Sequence, residues 1–134
     1  MKEKALIAAI RNRLPKTMHH QSMTSASLTH TGTPDQYYDG PISDLWVEYK
    51  QLQSMPRSGV VDAALLLTPR QLRWVQRRSK HGQNAIICVG LPNTRALLFT
   101  ERFDGGGLML NQAVRNALSY DEIAKWICEF CGCS

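Results

Sequence analysis

The run Ser43-Asp44-Leu45-Trp46-Val47-Glu48-Tyr49-Lys50 constrains this chain more than any other. It is rich in aromatic and β-branched residues and holds no Gly or Pro, so it reads as a strand. Side chains on a strand alternate between faces. Asp44, Trp46, Glu48 and Lys50 therefore share one face, and Leu45, Val47 and Tyr49 take the other. Upstream, Asp35-Gln36-Tyr37-Tyr38 is a second short strand, and Asp39-Gly40-Pro41 between the two is a turn signal. A hairpin folded there brings Asp35 alongside Glu48.

Two carboxylates and an ammonium so arranged can surround one divalent cation. Hard cations such as Mg²⁺ prefer carboxylate and carbonyl oxygens and keep several waters. A retained water beside Lys50 is then a nucleophile suited to a phosphodiester. Glu-x-Lys on a strand is ordinarily a solvated charge pair. The preceding Pro34-Asp35, the hairpin spacing and the apolar opposite face set this pair apart. Asp44 shares the face, but it belongs to the strand start near the turn.

The rest of the chain reads as one domain, 1–134, of ordered α/β type. Residues 3–14 carry Leu6, Ile7, Ile10 and Leu14 at helical spacing, with Pro15 as the stop. A first strand is expected within residues 18–28, and residues 51–60, with Pro56 and Gly59, read as a loop. Thr68-Pro69-Arg70-Gln71 opens a second helix: Thr as N-cap, Pro in the first helical position, Gln completing a capping box. Capping alone would explain Gln71. Trp74 and Val75 serve that helix's packed face. Arg70, Arg73 and Arg77 form a stripe along it with no acids interleaved, which favours phosphate contact over salt-bridge lacing. Residues 84–90 and 95–100 are strands joined by Leu91-Pro92-Asn93. The last helix starts at Ser119, with Glu122 in a capping box and Ile123, Trp126, Ile127 and Phe130 on its apolar face.

Hydrophobic content of 43% excludes a disordered chain, and a net charge of +5 suits a polyanionic partner. No stretch has the length of a membrane span and no signal-peptide core is present, so a cytoplasmic protein is expected. Cys88 lies in an apolar strand. Cys128, Cys131 and Cys133 suggest zinc, but a second ligand pair at the usual spacing is missing, and reduced thiols are expected. Asp104-Gly105-Gly106-Gly107 lacks the Lys-Ser/Thr of a phosphate-binding loop.

Pro34-Asp35 with Glu48-Tyr49-Lys50 resembles the motif of the PD-(D/E)XK nuclease superfamily. Leu67-Thr68-Pro69-Arg70-Gln71-Leu72-Arg73-Trp74 resembles the L-[ST]-x-x-Q-x-x-W helix of the VRR-NUC family within it, and Gly82 with Ile86-Ile87-Cys88-Val89 resembles that family's next turn and strand. The resemblance runs over residues 31–90 and is closest to small stand-alone phage members. It implies a restriction-endonuclease-like core, a central mixed β-sheet flanked by helices. It implies Asp35, Glu48 and the carbonyl of Tyr49 as ligands of Mg²⁺, with Mn²⁺ able to substitute, and Glu3 as an added acid from the first helix. Lys50 would orient or deprotonate the attacking water, with Gln71 beside it. The implied activity is a structure-specific DNA endonuclease that resolves branched DNA such as Holliday junctions, working as a homodimer. A less selective nicking or flap nuclease, and a catalytically inactive nucleic-acid-binding protein, are the alternatives.

Overall fold

A computed structural model describes residues 3–22, 35–81, 84–100 and 108–133. The elements run α1 (Glu3–Arg11), β1 (His19–Ser22), β2 (Gln36–Asp39), β3 (Asp44–Gln51), β4 (Val60–Val61), α2 (Ala63–Leu66), α3 (Pro69–His81), β5 (Ala85–Gly90), β6 (Ala96–Phe99), β7 (Leu108–Met109), α4 (Leu110–Asn116) and α5 (Tyr120–Cys131). Five strands form one sheet in the order β1-β2-β3-β5-β6. Only the β3–β5 pair is parallel, so the sheet is mixed. β4 and β7 form a separate two-stranded ribbon.

The alternation along β3 builds two cores. Leu45, Val47 and Tyr49 meet Leu6 and Ile10 of α1 and Ile123, Ile127 and Cys131 of α5 on one face. On the other face Ala85, Ile87 and Val89 of β5 meet Val75 of α3, with Val61, Ala63 and Ala113 closing over them. β5 is buried at every position, as its continuous apolar run requires for a strand covered on both sides.

Several expected bounds shift. The first helix ends at Arg11; residues 13 and 14 close tighter turns on Ile10 and Arg11 before Pro15. The first strand spans His19–Ser22, and the rest of the expected 18–28 segment lies outside the described residues, as do Pro34, Gly82 and the loop at 104–107. β3 continues through Gln51, and the expected loop at 51–60 ends in β4, whose partner β7 comes more than forty residues later. α2 and α4 have no counterpart in the sequence reading; α2 is a single turn capped by Asp62, which accepts from the Ala64 N–H at 3.0 Å.

The turn joining β2 to β3 docks on the end of α5. The backbone N–H groups of Ile42 and Ser43 donate to the carbonyl of Cys131, at 3.0 and 3.4 Å. That carbonyl is among the last of the helix, which otherwise lack partners. Gly132 then leaves the helix in the left-handed region with φ 84°, and Cys133 N–H returns to the Cys128 carbonyl at 2.8 Å. Gly40 lies so close that an added Cβ would stand 2.6 Å from the Cβ of Cys131 and nearer still to its carbonyl oxygen. Gly40→Ala is therefore expected to destabilise the protein by about 1–3 kcal/mol, the range for an overpacked contact. Urea unfolding checks this as a lower midpoint with an unchanged slope.

Candidate active site

The β2–β3 register sets the site. Gln36 pairs with Val47, so Asp35, one residue earlier, lies across from Glu48. The expected hairpin thus forms and brings the two carboxylates together. Asp35 Oδ2 accepts the backbone N–H of Tyr49 at 3.1 Å. In an antiparallel ladder a residue's N–H and carbonyl point the same way. The Tyr49 carbonyl therefore faces the Asp35 side, beyond the first paired residue of β2. The Tyr49 ring is buried on the opposite face, where its hydroxyl meets that of Tyr38 at 2.7 Å.

Glu48 is 1% exposed. Its Oε2 accepts a long bond from Gln71 Nε2 at 3.5 Å and lies 4.0 Å from Lys50 Nζ. Its Oε1 is buried with no hydrogen-bond partner. Burial pushes the Glu48 carboxyl well above the usual carboxylate range. The proton that the protonated acid can share with Asp35, and the negative charges of Asp35 and Glu3, push the same way, and Lys50 opposes them. A buried acceptor without a partner, set beside a second carboxylate, is what a bound cation would satisfy. Among the described residues no three His, Cys, Asp or Glu side chains gather to hold a metal. The donors at hand are two carboxylates and a backbone carbonyl, which suits a hard cation that keeps waters rather than a closed four-ligand site.

Lys50 projects one strand repeat beyond Glu48 with its side chain 20% exposed, open to solvent at the rim. Glu3 is the residue that does not converge. α1 packs through Leu6 and Ile10 on the opposite face of the sheet. Its first turn stands at the end of β3, where Leu6 meets Gly90, and the Glu3 side chain is exposed. Its charge reaches Glu48, but it does not join Asp35 and Glu48 in a three-carboxylate cluster.

α3 meets β3 in two direct contacts and a third relayed through Asn84. Gln71 reaches Glu48. Trp74 meets Trp46 edge-on, with ring centroids 5.1 Å apart, and Trp46 leans in turn on Tyr37 at 4.6 Å. Arg78 donates to Asn84 Oδ1 at 3.0 Å, and Asn84 donates to Asp44 Oδ1. The Tyr37 hydroxyl donates to the other oxygen of Asp44 at 2.9 Å; burial and then this bond push that hydroxyl up to about 12. Helix residues 71 and 74 thus face strand residues 48 and 46, and residue 78 reaches 44 through Asn84. Asp44 is held by these two donors, which marks it as structural. Asn84 has an equal part, and its only trace in the sequence is a polar residue opening an apolar strand.

Gln71 holds two positions at once. Its Oε1 accepts the Thr68 N–H at 2.9 Å, its own N–H donates to Thr68 Oγ1 at 3.2 Å, and its Nε2 still reaches Glu48. Arg70, Arg73 and Arg77 are all exposed on the outer side of α3. His20 turns toward α1, where its ring meets Arg11, and His19 pairs with Asp39 at the end of β2 away from Asp35. Cys88 and Cys131 are buried, while Cys128 Sγ donates to the Cys133 carbonyl at 3.1 Å. No helix among the described residues is long and apolar enough to cross a membrane.

No family model matches the chain, and no curated protein matches it. Among solved structures the chain is similar to Archaeoglobus fulgidus Hjc, a Holliday junction resolvase from an archaeal hyperthermophile. The match has 15% sequence identity and a TM-score of 0.57, and it covers 91% of this chain and 96% of that one. At that identity the likeness is one of architecture: the mixed five-stranded sheet flanked by helices is a restriction-endonuclease-like fold.

Proposed function

We propose that this chain is a metal-dependent DNA endonuclease of the PD-(D/E)XK superfamily, VRR-NUC-like, that hydrolyses phosphodiester bonds in branched DNA such as Holliday junctions. The observation that carries the reading is the pairing of Asp35 with the buried Glu48, whose Oε1 lacks a partner, with Lys50 beside them. The fold it shares with a junction resolvase supports the branched substrate.

Asp35, Glu48 and the Tyr49 carbonyl would hold Mg²⁺ or Mn²⁺. When bound, the cation polarises water and offsets charge on the phosphate under attack. Gln71 steadies the second oxygen of Glu48 from the helix start. Lys50, at the rim, positions the attacking water or accepts its proton. Arg70, Arg73 and Arg77 meet backbone phosphates. A four-way junction has two equivalent scissile strands, which a two-fold homodimer would match with two sites.

Cleavage of a four-way junction, a flap, a duplex and a single strand, with Mg²⁺ and with chelator, tests the reading. The junction is expected to be cut fastest and only with metal. No metal-dependent cleavage of any substrate would overturn the enzyme assignment. Equal rates on flap and junction would move it to a nicking or flap nuclease.

Two further results are expected. Arg73→Gln should weaken all DNA substrates about equally and lower the slope of log affinity against log salt by roughly one unit. Affinity measured across a salt series decides this, and an unchanged slope returns the stripe to plain solvated surface. Light scattering should give a mass about twice that of the chain, as two sites per junction require. A supercoiled plasmid with an extruded cruciform should then go straight to linear product.

A further inference from the structure

We propose that the ring cluster Trp74–Trp46–Tyr37 is a stacking platform for an unpaired nucleotide next to the phosphate being cut. This rests on the nuclease reading and narrows its substrates to DNA with an unpaired base at the branch.

Trp46 lies on the same face of β3 as Glu48, two residues before it, which is about 7 Å along a strand. Trp74 lies three residues after Gln71 on α3, so the ring pair is the contact next to Gln71–Glu48. All three residues are partly exposed, Trp46 and Trp74 while also packing on the core of that face. They meet at 51° and 63°, tilted rather than face to face. The indole N–H of Trp46 is buried without an acceptor from the protein, so its polar requirement is unmet within the chain.

Charge completes the platform. Residues three and four apart are neighbours on a helix surface. Trp74 is therefore bracketed by Arg70 at i−4 and Arg77 at i+3, both exposed. An aromatic face between two guanidinium groups offers one base a ring and its flanking phosphates a cation each. That pairing of stacking with backbone charge is how single strands are gripped without sequence readout. A base inside a continuous duplex cannot reach such a ring, because both its faces are already stacked.

The test uses a short single-stranded oligodeoxynucleotide and the duplex of the same sequence, both in chelator so that nothing is cut. The oligonucleotide should quench tryptophan emission, and the duplex should not. Trp74→Leu keeps an apolar side chain against Trp46 but offers no π-face. It should lose about tenfold in affinity for the single strand, within the range of one base–aromatic stack, with duplex affinity unchanged. Trp74→Phe should retain most of the single-strand affinity. With Mg²⁺, wild-type protein should cut a four-way junction carrying an unpaired nucleotide at the branch faster than a fully paired one, and Trp74→Leu should lose that advantage.

Equal losses on single strand and duplex would reduce Trp74 to a support for α3 and overturn the proposal. So would the absence of quenching in the wild-type protein, which needs no variant to fold. The two readings fail separately. Quenching without cleavage of any substrate keeps the platform and removes the nuclease. Cleavage without quenching does the reverse.

Discussion

Glu48→Gln should abolish metal-dependent cleavage while leaving the fold at least as stable as the parent. The amide has the shape of the protonated acid. Its oxygen can still accept from Gln71 Nε2 and its NH₂ can donate to Asp35, so the local bonds survive. What it lacks is the charge a cation needs. An ionic ligand contributes several kcal/mol to transition-state stabilisation, and at about 1.4 kcal/mol per factor of ten its loss lowers the rate by at least roughly 10³-fold. The stability half of the prediction follows from linkage. A carboxyl whose folded pKa is raised keeps its full stabilising share only below its ordinary value of 4.5, and loses it as pH climbs toward the folded value. In chelator, then, the variant should match the parent in acid and gain on it as pH rises. Thermal unfolding across pH, set beside a cleavage assay, reads both. Cleavage at the parental rate would remove Glu48 from the metal site, and a large loss of stability at neutral pH would mean that its charge is structural.

Lys50→Met should lower turnover by about two orders of magnitude or more, as for a positioned proton-transfer or electrostatic group. Met matches the length of the apolar stem, so packing along the strand is kept. Removing the ammonium also removes the positive charge that favours the ionised form of Glu48, 4.0 Å away. Lys50→Arg separates two roles. A guanidinium is always charged, so it can anchor a phosphate but does not give up a proton, and its planar fork fills the rim differently. Lys50→Arg should therefore also be poor. If it cuts like the parent under single-turnover conditions, Lys50 is a phosphate anchor only.

The elements legible in the sequence were those with local signals. Alternation along 43–50 gave the two faces of β3, and Asp39-Gly40-Pro41 gave the hairpin that sets Asp35 across from Glu48. Thr68 with Gln71, and Ser119 with Glu122, fixed both helix starts because a capping box is written within four residues. α2 is too short for a period to show, and β4 pairs with a strand distant in sequence, so neither carries a local mark. At the site, parity could say which side chains share a face of β3, not which face each helix would cover. That is why the bonds from Tyr37 and Asn84 to Asp44 leave no mark in the sequence. Glu3 enters through the family resemblance alone, as the acid of the first helix, and its charge reaches Glu48 from the start of α1. Capping and contact with Glu48 looked like competing explanations of Gln71, yet its two amide ends serve them separately.

The docking of the β2–β3 turn on the end of α5 has a consequence for the order in which the protein can assemble. Asp35, Glu48 and Lys50 leave the ribosome early, and the carbonyl of Cys131 that receives the Ile42 and Ser43 N–H groups is made some ninety residues after that turn. The parallel partner β5 also follows β3 by more than thirty residues. Chains are synthesised N-terminus first, so a nascent chain would carry the acidic pair before the turn of its hairpin has the helix end on which it docks. The hairpin that bears the pair would therefore gain its full support, from β5 on one side and from the end of α5 at its turn, only when the last helix closes over the sheet.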